Sequence, residues 1–163
     1  MYSVKLVLIG SLWGLVVLCS CASKVEYSDT FKKIITSEHG IFRGIDFDTP
    51  IGNVKKIESI KPEIDDVLGL RYQIQLNENE TLFIEYDKQE EKVKNIRAKI
   101  VLRNYTNTEN LYNELVGYYT HKYGNPKGKD KERYWEVESA RGKYYIDLTW
   151  AERENTLYLD IRK

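Results

Sequence analysis

Apolar and polar residues alternate most cleanly between residues 70 and 102, and a period of two marks strands with one buried and one wetted face. Leu70-Arg71-Tyr72-Gln73-Ile74-Gln75-Leu76 alternates without a break. Asn77-Glu78-Asn79-Glu80 follows as a turn, and Leu82, Ile84 and Tyr86 mark a second strand. Residues 87–92 read as a charged loop. Ile96, Ala98, Ile100 and Leu102 mark a third strand, with Arg97, Lys99 and Arg103 on its other face. The pattern returns near the end of the chain. Trp135 and Val137 open a strand, and Ser139-Ala140-Arg141-Gly142 is a turn. Tyr144, Ile146, Leu148 and Trp150 alternate along the next strand, residues 151–155 turn, and Leu157, Leu159 and Ile161 mark the last one.

Three segments carry the helical period instead. From Asp29, the residues Phe31, Ile34 and Ile35 fall on one face, and Gly40 ends the segment. Residues 41–47 are apolar and broken by Gly44, as a short extended piece would be. Thr49-Pro50 predicts a helix start, with Thr as N-cap and Pro at the first helical position, where its missing N–H costs nothing. Ile51, Val54 and Ile57 form the apolar stripe of that helix, Lys55 and Lys56 point outward, and it fades near Ser59, before Pro62. Thr106 and Glu109 fit a capping box. Leu111, Leu115, Val116, Tyr119 and Tyr123 then line one face of a helix stopped by Gly124 and Pro126.

The order is therefore helix–strand–strand–strand twice, over residues 49–103 and 106–162. This predicts an α+β domain spanning residues 29–163, with helices on one face of antiparallel sheet to cover each apolar side. Six strands can build one sheet or two. In a single sheet, the strand ending at Arg103 is expected near the one starting at Arg133.

Ahead of this domain the pattern changes. Lys5 is the one charge in residues 1–20, followed by Leu6-Val7-Leu8-Ile9 and Leu12-Trp13-Gly14-Leu15-Val16-Val17-Leu18. A basic start, an apolar middle and the small Ser20 near a cut site read as a secretory signal peptide over residues 1–20. A retained membrane anchor is the alternative, since the uncharged run approaches the roughly 20 residues that span a bilayer. Both cysteines of the chain, Cys19 and Cys21, sit at the end of this run.

Leu18-Cys19-Ser20-Cys21 resembles a bacterial lipobox: a branched apolar residue, a variable one, a small one and the cysteine that is acylated. Cys19 departs from the commonest pattern, which has Ala, Ser or Thr in its slot. The resemblance implies that Cys21 becomes a palmitoylated N-terminus, with residues 21–28 as a tether. It places the protein in the cell envelope, and the absence of Asp after the cysteine, where Ala22 stands, points to the outer membrane. Two or more acyl chains give stable anchoring. The folded part also resembles the tandem helix-plus-sheet fold of the β-lactamase-inhibitor-protein group, through Gly44-Ile45, Thr49 and Val54, then Leu115, Tyr123-Gly124-Asn125-Pro126 and Trp135. A single such unit occurs in small lipoproteins that help assemble outer-membrane β-barrels. The first half lacks the Gly-x-Pro that follows the helix in the second.

Without Lys5 the chain has 24 basic and 25 acidic residues. Such a balance supplies no excess of cations for phosphates, so nucleic acid is not an expected partner. His39 and His121 are the two histidines; the first is next to Gly40 and the second is off the apolar helix face. Neither is beside a nucleophile or in a metal-ligand spacing. Asp46-Phe47-Asp48 and Glu63-Ile64-Asp65-Asp66 lack the Gly-centred loop of a calcium site. No metal, cofactor or catalytic residue is predicted, and the chain reads as a non-enzymatic binding or assembly module. Tyr145, Asp147, Thr149, Tyr158 and Asp160 form its candidate binding face, opposite the apolar one, for a protein, peptide or glycan. Two other readings stay open. An inhibitor or immunity-type protein would insert the loops at 77–80 or 151–155 into an enzyme's cleft. A small hydrolase would bring two carboxylates, or His121 and an acid, together in a pocket.

Overall fold

The computed structural model describes residues 26–140 and 142–163. The leader and Leu18-Cys19-Ser20-Cys21 lie outside the described residues. The chain is a mixed helix and antiparallel-sheet protein. Its elements are α1 (Asp29–Ile34), α2 (Ile51–Glu58), β1 (Ile64–Asp65), β2 (Gly69–Asn77), β3 (Glu80–Gln89), β4 (Lys92–Val101), α3 (Tyr105–Tyr123), β5 (Glu132–Ser139), β6 (Gly142–Ala151) and β7 (Thr156–Arg162), with a 3₁₀ turn at Glu152–Glu154. The two-residue β1 was not expected, so the domain holds more sheet than two helix–strand–strand–strand units supply.

All seven strands join one sheet in the order β1-β2-β3-β4-β7-β6-β5. The neighbour of β4 is thus β7, not the expected β5. Register is continuous across this join, with Lys99 opposite Tyr158, Ala98 opposite Leu159 and Arg97 opposite Asp160. The pairing lets β5, β6 and β7 form an uninterrupted meander and leaves β5 at an edge. Period-two alternation then stacks the core in rows. Tyr72, Ile84, Ala98, Leu159 and Leu148 form one row by register, and Leu70, Tyr86, Ile96, Ile161, Ile146 and Trp135 form the next. Each of these side chains is buried.

The helices cover this apolar face. In α3, Leu111, Tyr112, Leu115, Tyr118 and Tyr119 are buried. Its cap differs from the Thr106–Glu109 box: Asn104 is the N-cap and its Oδ1 accepts the Asn107 N–H at 2.9 Å. The helix therefore starts two residues early, and Thr108 is buried with its hydroxyl donating to Asn104 O at 2.8 Å. In α1, Ser28 caps the Phe31 N–H at 3.1 Å and donates its hydroxyl to Glu114 of α3 at 2.7 Å. Tyr27 stacks on Phe31 at 4.0 Å between ring centroids. The last residues of the expected tether thus belong to the fold.

Around α2 the sequence expectation is off by one residue in two places. Pro50, not Thr49, is the N-cap, and the Thr49 hydroxyl instead accepts the Asp46 N–H at 3.2 Å. Backbone bonds from Asp48 to Val93 and from Ile51 to Glu91 clip this segment to the β3–β4 hairpin, which sets where the helix begins. At the other end Ile57 is 44% exposed and Glu58 is 6% exposed. Glu58 is buried because Arg43 reaches it from the turn at residues 42–45. The guanidinium donates from Nε at 3.0 Å and from Nη2 at 2.8 Å. Nη1 bonds Lys33 O at 2.6 Å and Ile34 O at 3.1 Å, and the Tyr86 hydroxyl donates to the same carboxylate. Residues 41–47 are accordingly a compact buried turn, not an extended piece, with Arg43 and Gly44 at φ 53° and 82°. The expected charged loop over 87–92 is also strand. Only Glu90 and Glu91 turn, both at positive φ, as a two-residue hairpin needs.

Candidate functional site

Because the helices lie on one side, the sheet's other face carries every second residue of the strands into solvent. The five predicted binding residues all lie there. Register puts Thr149 opposite Tyr158 and Asp147 opposite Asp160, while Tyr145 is opposite Arg162. Tyr144, Ile146, Leu148 and Trp150 occupy the buried face, together with Trp135.

Sequence reading missed what lies across the β4–β7 join. One row across the sheet is Gln73, Phe83, Lys99, Tyr158 and Thr149, and the next is Arg71, Glu85, Arg97, Asp160 and Asp147. A groove of about 460 Å³ lies over β3, β4 and β7. Phe83, Lys99 and Tyr158 form one end, and Glu85, Arg97 and Asp160 the other. Ala98 and Leu159 also line it, but their side chains are in the core, so the floor there is backbone. The alternation around Phe83 in residues 80–89 was the available signal: it puts an aromatic on the polar face of its strand.

The charges of this face are mostly paired. Arg97 bonds Glu85 at 2.9 Å and Asp87 at 2.7 Å, and Arg71 bonds Glu85 at 3.1 Å. Arg162 forms ion pairs with Asp147 at 2.5 Å and Asp160 at 2.8 Å. Burial works against the Arg162 charge, but Asp147 and Asp160 outweigh it and raise its pKa above the ordinary value. Lys99 differs. Its Nζ stands 5.8 Å from the Tyr158 ring centroid, and it has no carboxylate partner among the described residues. The Tyr158 hydroxyl donates to Glu154 at 3.2 Å, tying the groove wall to the 3₁₀ turn.

The other candidates do not converge. His39 and His121 are exposed. No group of three or more His, Cys, Asp or Glu side chains is arranged to hold a metal among the described residues. Asp65 of the second acidic run pairs with Lys55 at 2.5 Å, and Asp66 caps its own turn through the Leu68 N–H at 2.8 Å. In the turn at 77–80, Glu80 is buried and accepts from Asn77 and Asn107, each at 2.7 Å. Burial pushes its pKa up, yet these bonds and the Arg103 N–H outweigh it and hold the carboxyl below its ordinary value. The turn is thereby fastened to α3. The turn at 152–154 projects Glu152, Arg153 and Glu154 into solvent. No helix among the described residues is long and apolar enough to cross a membrane. No protein-family model matches the chain, and no curated protein or solved structure matches it.

Proposed function

We propose that this chain is an envelope lipoprotein, anchored through Cys21, whose open sheet face binds a protein or peptide partner without catalysing a reaction. The supporting observation is the groove at Phe83, Lys99 and Tyr158, which puts two aromatic side chains and a cation on a face that the helices leave uncovered. Aromatic side chains provide contact area at little conformational cost, which suits them to interfaces. The order of elements also supports reading residues 49–103 and 106–162 as two helix–strand–strand–strand units that meet at β4 and β7, with the groove on their junction. An inhibitor or immunity-type role finds support in the 3₁₀ turn, whose charged tip borders the groove through the Tyr158–Glu154 bond.

Photocrosslinking in intact cells tests the binding face. A benzophenone side chain in place of Tyr158 should capture a discrete partner, and one in place of Asn113, exposed on α3, should not. Identical adduct patterns from the two positions, or none from Tyr158, would refute the assignment.

A further inference from the structure

The open face has a charge pattern that restricts what it can bind. Arg71 of β2, Arg97 and Lys99 of β4 and Arg162 at the end of β7 stand on it. Three of them have carboxylates at 2.5–3.1 Å. These pairs also use up Glu85, Asp87, Asp147 and Asp160. A ligand cation approaching this region meets carboxylates already committed to guanidiniums. A ligand anion meets Lys99, an ammonium with no carboxylate to displace.

The surroundings of Lys99 add a second restriction. Register places it directly between Phe83 on β3 and Tyr158 on β7. A group seated over the ammonium is therefore flanked by two rings. Water alone satisfies an exposed lysine, so an unpaired one is ordinary. Phe83 makes this one different, because a half-buried aromatic beside the ammonium adds apolar surface for a partner to cover.

We propose that Phe83, Lys99 and Tyr158 form a seat for a carboxylate carried beside an apolar group, presented by the partner protein as an acidic residue next to an aromatic one. The inference rests on the open face being the binding face. The carboxylate pairs with the Lys99 ammonium, and the neighbouring ring covers Phe83 or Tyr158. Recognition of this kind discriminates by charge at one atom and by shape beside it, and the Arg97–Glu85 pair forms the groove's other end.

Two capped peptides test it on the full chain, acetyl-Phe-Asp-Phe-amide and its Asn counterpart, followed by amide shifts of Phe83, Lys99 and Tyr158. The Asp peptide should bind about three- to fivefold more tightly at low salt, the scale of an exposed ion pair, with the difference shrinking in 1 M salt. Lys99→Met should remove the difference between the Asp and Asn peptides. Equal affinities for the two peptides, or a preference that survives Lys99→Met, would overturn the seat and leave the binding face standing. Shifts from neither peptide would overturn it as well. The crosslinks from Tyr158 do not depend on the Lys99 charge and report separately on the face itself.

Discussion

Glu58→Gln is the most demanding test of how this fold is held together. The Glu58 carboxylate receives Arg43 Nε and Nη2 and the Tyr86 hydroxyl in a site where Arg43 is 7% and Glu58 6% exposed. Gln keeps the volume but removes the counter-charge, so a guanidinium is left buried opposite a neutral amide. Removing one partner of a buried pair costs about 3–5 kcal/mol. That is a large share of the roughly 5–15 kcal/mol that stabilises a typical domain. The paired change Arg43→Met with Glu58→Leu removes both charges. It leaves Lys33 O, Ile34 O and the Tyr86 hydroxyl short of partners, at about 1–3 kcal/mol for each group that stays buried. The double variant is nevertheless expected to be no less stable than Glu58→Gln, and the two sites should couple by at least about 2 kcal/mol. Urea unfolding of the full chain, followed by the fluorescence of the buried Trp135 and Trp150, measures each variant. A loss below about 1 kcal/mol for Glu58→Gln, or strictly additive effects, would refute the reasoning.

Three further outcomes are expected. Gly69 has φ +154° and a Cβ there would stand 2.0 Å from Tyr86 O, whereas nothing lies within 4 Å of a Cβ on Gly117 inside α3. Gly69→Ala should therefore destabilise by more than about 2 kcal/mol and Gly117→Ala should stabilise by up to about 1 kcal/mol, as thermal unfolding will show. Burial raises the pKa of Tyr72 and Tyr118 to about 12. Above pH 10 their unfolded phenols ionise while the folded ones hold their protons. Stability is thus intact below pH 10 and falls from there to about pH 12, by about 1.4 kcal/mol per pH unit for each such tyrosine. A 295 nm titration that shows them ionising near pH 10 in the folded protein would contradict this. Finally, Cys21→Ala should abolish incorporation of a palmitate analogue in cells, and unchanged labelling would dismiss the lipobox.

Much of the architecture was legible because strand alternation is a local property. Leu70, Tyr72 and Leu76 on one face, with Arg71, Gln73 and Gln75 on the other, follow from a period of two within seven residues. The same holds for Tyr145, Asp147 and Thr149, which the alternation of β6 put on the open face. The helix α3 and its stop at Gly124 were equally local. Errors arose where distant chain segments set the local answer. Glu58, not Ile57, is buried because Arg43 comes to it from another turn. Pro50 caps α2 because a hairpin some forty residues away holds the segment before it.

On the strands, alternation within the chain is enough to assign each residue to core or water, since a side chain's direction there depends only on its neighbours. Which strand lies beside β4 at the join of the two halves is set by tertiary packing. Alternation is the same whether β4 meets β5 or β7, and only long-range packing of the two halves chooses between them. The groove depends on that choice. Phe83 and Lys99 already face each other across the β3–β4 hairpin, and Tyr158, 59 residues beyond Lys99, joins them only when β7 takes its place beside β4.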